Sequence, residues 1–333
     1  MGALDCVTSN KISPTDSTEV FTVKMNSQTS LNENQKDLES QLISSTRCGS
    51  GHSIWWTLAV DIPLLLLMCV LVGLFELGVI PHHKNGFFCN DPALSYPFTG
   101  DTVNFTVIVS SILLGPLVLV FVTEYIFHTS TYNMQTRLYQ VARSTLYIYR
   151  SYAYGLFFNL GVVEVMKGFV GNPRPTFFDI CEPDAAKTCN GSEYISTFKC
   201  TSTRFPAWFQ ADSYHSFPSG HTSLSVYCGL LMAWYLQKRA FDWQHRTVFL
   251  VPVLQMICVT YAVICSLTRI TDHRHHWWDV LTGAGIGAIT VFYTALVLCK
   301  NFKTISNLED KAMTESQRTV QTEVFDEHLR VPL

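Results

Sequence analysis

Six stretches of this chain, residues 56–80, 103–127, 152–166, 222–236, 248–267 and 280–298, are strongly apolar. Each comes close to the roughly 20 helical residues that cross a bilayer. They predict six transmembrane helices and an all-α, polytopic membrane protein. The third and fourth runs are short, but Lys167 borders one and His221 the other, and polar functional residues at a membrane edge explain the truncation. The competing reading, buried helices of a soluble protein, has to accommodate all six runs.

Positive charge is uneven between the runs. Arg137, Arg143 and Arg150 follow the second, Lys238, Arg239 and Arg246 the fourth, and Lys300 and Lys303 the sixth. The positive-inside rule therefore predicts cytoplasmic termini. Loops 81–101 and 169–217 and the turn at 269–276 then share the extracellular or lumenal side. Cys89, Cys181, Cys189 and Cys200 fall in those loops, where disulfides form. The sequence closeness of the last three favours a bridge within that loop over one reaching Cys89. Cys69, Cys228, Cys258, Cys265 and Cys299 read as apolar packing residues.

Asn190 opens an Asn-Gly-Ser sequon in the same loop and is the expected glycosylation site, because Asn104 of the other sequon sits at the start of a span. Residues 1–52 and 301–333 are polar and poor in aromatics, so both are expected to be disordered cytoplasmic tails around a membrane domain at 53–300. The amino-terminal tail has no early apolar stretch, so the first span directs insertion. Gly2 is not followed by a full myristoylation pattern, since Cys6 stands where Ser or Thr is needed. A net charge of -3 points to no nucleic-acid partner.

Three short polar blocks adjoin the apolar runs. In 268–279, Arg269 precedes His273, His275 and His276, and Asp279 follows. On a helix, His275 and Asp279 share a face. A carboxylate against one imidazole nitrogen leaves the other free to attack, which makes His275 the nucleophile candidate. His276 can also reach Asp279, and His273 is compatible with a metal cluster, so this block alone leaves catalysis, metal binding and interfacial decoration open.

The block Pro218-Ser219-Gly220-His221 lies ahead of an apolar run, where a helix amino-terminus presents free N–H groups to an anion. Gly220 allows close approach, the Ser219 hydroxyl adds a donor, and His221 is placed to protonate a departing alkoxide. The plain alternative is Ser219 as a helix cap with His221 snorkelling. In the remaining block Lys167 ends a run, and Arg174 stands between Pro173 and Pro175, a rigid mounting for a guanidinium that binds phosphoryl oxygens in bidentate fashion. Singly, Lys167 and Arg174 also read as snorkelling cations. Together with Arg269 in one compartment they read as an anion site.

Lys167-x6-Arg174-Pro175, Pro218-Ser219-Gly220-His221 and Arg269-x5-His275-x3-Asp279 together resemble the three signatures of the type 2 phosphatidate phosphatase (PAP2) superfamily. Asp61 and the loop Gly86-Phe87-Phe88-Cys89-Asn90-Asp91 further resemble its integral-membrane lipid phosphate phosphatases, a similarity covering about residues 53–300. The resemblance implies that His275 attacks phosphorus, Asp279 orients it, and His221 protonates the leaving hydroxyl. Lys167, Arg174, Arg269, Ser219 and Gly220 would bind the equatorial oxygens.

A phosphohistidine intermediate, no metal cofactor, a PAP2-like helical core, a plasma-membrane location and a homodimer follow as expectations. One departure is Thr268, where the family usually carries Ser; it retains the hydroxyl and adds a methyl.

The expected activity is removal of the phosphate monoester from phosphatidate, lysophosphatidate, sphingosine 1-phosphate or related lipids on the outer side. The alternatives are a soluble-phosphate hydrolase related to glucose-6-phosphatase, a vanadate-dependent peroxidase, and a non-catalytic lipid-binding adaptor or transporter. Substitution of His275 separates enzyme from adaptor.

Overall fold

A computed structural model describes residues 59–60, 62–76, 83–127, 134–189, 191–241 and 249–302. Asp61, Asn190 and both expected tails lie outside the described residues, apart from Asn301 and Phe302. Contacts divide the chain after Pro63, and the helical fold belongs to the unit from Leu64 onward.

The long helices are α1 (Ile62–Glu76), α2 (Phe105–Phe127), α3 (Met134–Val170), α6 (Gly220–Arg239), α7 (Leu250–Thr271) and α8 (Trp277–Tyr293). Between α3 and α6 come the short helices α4 (Phe177–Cys181) and α5 (Ala207–Asp212), and the strands β1 (Phe87–Phe88) and β2 (Tyr194–Ile195) pair antiparallel.

Four segments are long and apolar enough to cross a membrane: Phe105–Phe127, Arg137–Val170, Leu250–Thr271 and Trp277–Leu298. They match four of the six expected spans. The first expected span is described only in part, as α1. The fourth forms α6, whose polar composition keeps it out of that group for a structural reason. It sits at the centre of the bundle and packs on α2, α3, α7 and α8. A helix shielded from lipid by protein can carry Thr222, Ser223 and Ser225, all fully buried.

Close helix approach is built from small residues. A Cβ added at Gly283 or Gly287 of α8 would lie within 2.6 Å of the Ser219 or Ser223 carbonyl of α6.

A second difference concerns the cations expected between spans. Arg137, Arg143 and Arg150 lie on α3 itself, a helix of 37 residues. At 1.5 Å per residue it is roughly 55 Å long, well beyond the hydrocarbon core. Several polar groups inside the bundle are paired. Asn159 bonds Thr290 and Ser223. Pro116 inside α2 has no N–H for the Ile112 carbonyl, and the Tyr152 hydroxyl of α3 donates to that oxygen at 2.7 Å.

Loops 83–104 and 171–219 form a cap with its own small core around Phe87, Leu94, Phe177 and Cys181. The expected bridge within the second loop is present as Cys181–Cys200, but a second one joins Cys89 to Cys189. The β1–β2 ladder brings those distant segments together, a proximity that sequence separation concealed. Cys228, Cys265 and Cys299 are free and buried, as expected of packing residues, whereas Cys69 is exposed.

Candidate active site

Each polar block sits where a helix of the bundle meets the cap. The α3 helix ends at Val170, and Gly171 turns the chain with φ +58°. Only glycine fits there, because a Cβ would fall 1.7 Å from the His83 carbonyl. The following loop is stitched to 213–216 by Arg174 N–H to Ser213 O at 2.8 Å and Ser216 N–H to Asn172 O at 2.9 Å. Ser219 is the N-cap of α6, its hydroxyl accepting from the Thr222 N–H and paired with Thr222 Oγ1. Thus the capping role foreseen as the plain alternative is the one its side chain occupies.

Arg269 lies in the last turn of α7, and the chain folds back so that the Arg274 and His275 amides both donate to the Arg269 carbonyl. His276 then caps α8 in a reciprocal box with Asp279.

The three blocks meet. Ser219 N–H donates to the Asp279 carbonyl at 3.1 Å, joining the second to the third. Arg174 Nη1 lies 3.0 Å from the Arg274 carbonyl and 3.2 Å from His275 Nε2, joining the first to the third. A Cβ on Gly220 would stand 3.7 Å from Lys167 Nζ, which joins the first to the second. His221, on the first turn of α6, feels the charges of Arg269, Arg174 and Lys167 as well as the His275 ring.

The expected helical pairing of His275 with Asp279 needs correction. His275 precedes α8, and its Nδ1 is 3.9 Å from the carboxylate, too far for a hydrogen bond. Nδ1 instead lies 2.6 Å from the Ser216 carbonyl. A carbonyl only accepts, so Nδ1 carries the proton and the Nε2 lone pair faces Arg174.

Asp279 acts one step removed. Its Oδ2 accepts from the Ser216 hydroxyl and from the His276 amide, fixing the segment that holds the imidazole. Burial, followed by the Arg174 guanidinium, pushes the His275 pKa down to about 3, against the smaller opposing pulls of Asp279 and the Ser216 carbonyl. The ring is therefore neutral at physiological pH, an unprotonated nitrogen beside a guanidinium.

The cations are mounted on carboxylates. Asp212, at the end of α5, takes Arg174 Nη2 on one oxygen at 2.7 Å and Arg274 Nη2 on the other at 2.9 Å, while its carbonyl accepts from Arg174 Nε. Burial would raise its pKa, but the two arginines outweigh that and hold the carboxyl well below the ordinary range. Arg274 is also packed between the Phe98 and Phe209 rings, each 5.1 Å away.

Arg269 is almost fully buried and bonded to Asp101, Asp272 and the Val103 carbonyl, so the phosphate-binding role that the resemblance implied for it starts from a guanidinium already paired. Lys167 Nζ pairs with Glu164 at 2.7 Å. Among the described residues, the buried side-chain atoms without a partner include His221 Nε2, Arg269 Nε, Arg274 Nη1 and Asp279 Oδ1, all from this site.

Asp212, Ser216 and Arg274 are the residues that sequence spacing passed over. Arg274 offered one signal, a cation adjoining the candidate nucleophile. Asp212 offered none, since a lone carboxylate in a long loop has many uses. Thr268 spends its hydroxyl on the Cys265 carbonyl of its own helix. His273 stacks on Tyr96 with centroids 4.0 Å apart, an aromatic contact in place of the metal cluster considered for it.

The sequence pattern of the PAP2 superfamily matches residues 148–303, which take in all three blocks. The chain is 29% identical over 246 residues to phospholipid phosphatase 2 of Mus musculus, covering 72% of this chain and 87% of that protein. It is 30% identical over 265 residues to phospholipid phosphatase 1 of Rattus norvegicus, covering 74% of this chain and 89% of the relative. A putative phosphatidate phosphatase of Drosophila melanogaster is 29% identical over 289 residues, 79% of this chain and 73% of that one. No solved structure matches. With a relative of that identity covered over most of its length, and with the matching pattern spanning the polar blocks, this chain belongs to the PAP2 superfamily, within its phospholipid phosphatase family.

Proposed function

We propose that this protein is an integral-membrane lipid phosphate phosphohydrolase, removing the phosphate monoester from phosphatidate, lysophosphatidate, sphingosine 1-phosphate or a related amphiphile. The observation that carries the reading is the His275 imidazole, held in one tautomer by the Ser216 carbonyl with its lone pair turned to Arg174. The names of the relatives support the substrate class.

The substrate phosphate displaces the Arg174 contact and takes up its guanidinium. Nε2 of His275 attacks phosphorus, forming an N–P bond as the P–O bond to the lipid breaks. His221, protonated once the bound phosphate anion offsets the surrounding cations, delivers that proton to the departing oxygen, then takes one from the water that hydrolyses the phosphohistidine. Arg174, Lys167, Arg269 and the Gly220 amide stabilise the equatorial oxygens, Arg269 by exchanging a carboxylate partner for phosphate. Asp279, through Ser216 and His276, keeps the nucleophile in its tautomer.

These fixed cations supply the neutralisation that the reaction needs, so turnover is independent of added divalent ions. The disulfides of the cap and the distribution of positive charge favour an extracellular or lumenal site with cytoplasmic termini.

The test is phosphate release from lysophosphatidate in detergent micelles, with and without chelator. Wild type turns over in both, and His275→Ala loses about 10³-fold or more. A folded His275→Ala protein as fast as wild type would overturn the nucleophile and favour a binding role.

A further inference from the structure

An apolar groove of about 750 Å³ runs along α7 beside the start of α2, lined by Val103, Val107, Pro252, Met256, Tyr261 and Cys265 among others. Both helices pack on α6, and the hydroxyls of Ser111 and Tyr261 join them at 2.5 Å. The groove is in register with the site. Its α7 residues recur every three or four positions, one face of the helix, and that face continues past Ile264 and Cys265 to Thr268 and Arg269. Val103, at the site end of the groove, gives its carbonyl to Arg269 Nη2 at 2.9 Å. A cation at the head of an apolar furrow matches an amphiphile with an anionic head.

We propose that this groove is the subsite for the hydrocarbon chain of the phosphate-bearing substrate. The inference rests on the lipid phosphatase reading of the site. With phosphate at Arg269, the chain descends along α7, passing Ile264 at about 8 Å, Thr260 at about 14 Å and Met256 at about 20 Å. One leaflet is about 15 Å of hydrocarbon. Short chains therefore end near Ile264, and only the longest pass Thr260 toward Met256. A bilayer lipid or a second copy of the chain on the same face would give no such graded dependence.

The experiment is kcat/KM of full-length protein for hexanoyl, lauroyl and oleoyl lysophosphatidate, comparing wild type with Ile264→Trp and Met256→Trp. Both side chains are exposed, so a larger ring is accommodated without repacking the bundle. Ile264→Trp is expected to lower the lauroyl-to-hexanoyl and oleoyl-to-hexanoyl ratios about tenfold, the loss of about two buried methylenes. Met256→Trp should lower only the oleoyl ratio, about threefold. If wild type hydrolyses all three and neither variant changes the ratios, or both change them alike, the groove assignment is overturned while the activity stands. A wild-type protein that hydrolyses none of them overturns the activity reading and this proposal together.

Discussion

The two ends of α6 each carry buried charge, and they differ in how completely it is satisfied. At the carboxyl end, Glu124 of α2 is fully buried and accepts from the Tyr235 hydroxyl at 2.8 Å and from Arg239 Nε and Nη2 at 2.9 and 3.2 Å. At the amino end, Arg174, Asp212, Arg274 and Arg269 form a comparable network, yet His221 Nε2, Arg269 Nε, Arg274 Nη1 and Asp279 Oδ1 have no partner. A satisfied buried carboxylate ties helices together. Buried polar atoms left without one incur a desolvation cost that persists where a ligand will meet it. Unpartnered buried atoms also occur at Arg137 Nε and Thr145 Oγ1, but four of those among the described residues gather at the amino end, around the proposed site.

That contrast can be broken by exchanging the effects of substitution at the two ends. His275→Ala should abolish turnover while leaving the melting temperature in detergent close to wild type. Glu124→Ala, which removes the fully buried carboxylate that takes Tyr235 and Arg239, should cost about 2–4 kcal/mol of stability yet leave kcat/KM of the folded fraction within about threefold. Equal loss of activity in both, with both folded, would end the distinction.

The two disulfides of the cap sharpen it next. In a chain-entropy view, removing the Cys89–Cys189 pair, 100 residues apart, should cost about 4–5 kcal/mol, against about 3 kcal/mol for Cys181–Cys200, 19 apart. Thermal unfolding of the two double Ser variants gives the order.

Asp212→Asn keeps an acceptor but loses the charge that aims Arg174. It should lower kcat/KM about 30- to 100-fold and, if Arg174 binds phosphate as proposed, should raise KM as well as lower kcat. A change in stability alone would make Asp212 merely structural.

The smallest effect is with pH. His275 is neutral in the fold down to about pH 3, whereas the unfolded chain protonates it below about 6.5. The unfolded state thus gains protons first as pH falls. Stability should drop by about 2 kcal/mol between pH 7 and pH 5, and His275→Gln should flatten that slope by a similar amount.

Much of the bundle was legible because lipid imposes length and apolarity on the helices that face it. The segments Phe105–Phe127 and Leu250–Thr271 lie close to their expected runs. The same rule misjudged α6 and α3. A helix wrapped by other helices is released from apolarity, and one that extends beyond the membrane absorbs cations that look like loop residues. In the site, the motif residues converge as anticipated, but their bonding was misread. His275 was expected against Asp279 and rests on Ser216, and Arg269, expected to bind phosphate, is already held by Asp101 and Asp272.

The chain alone determined that it is helical and membrane-bound, and which imidazoles and cations are chemically suited to phosphate, because hydropathy and side-chain chemistry are local properties. Tertiary structure decided which nitrogen of His275 is free, which carboxylate aims each guanidinium, and which cysteine meets Cys89. Those outcomes depend on ångström-scale contacts between segments up to about a hundred residues apart, and hydrogen bonds switch on or off over a fraction of an ångström, a scale that spacing along a sequence does not encode.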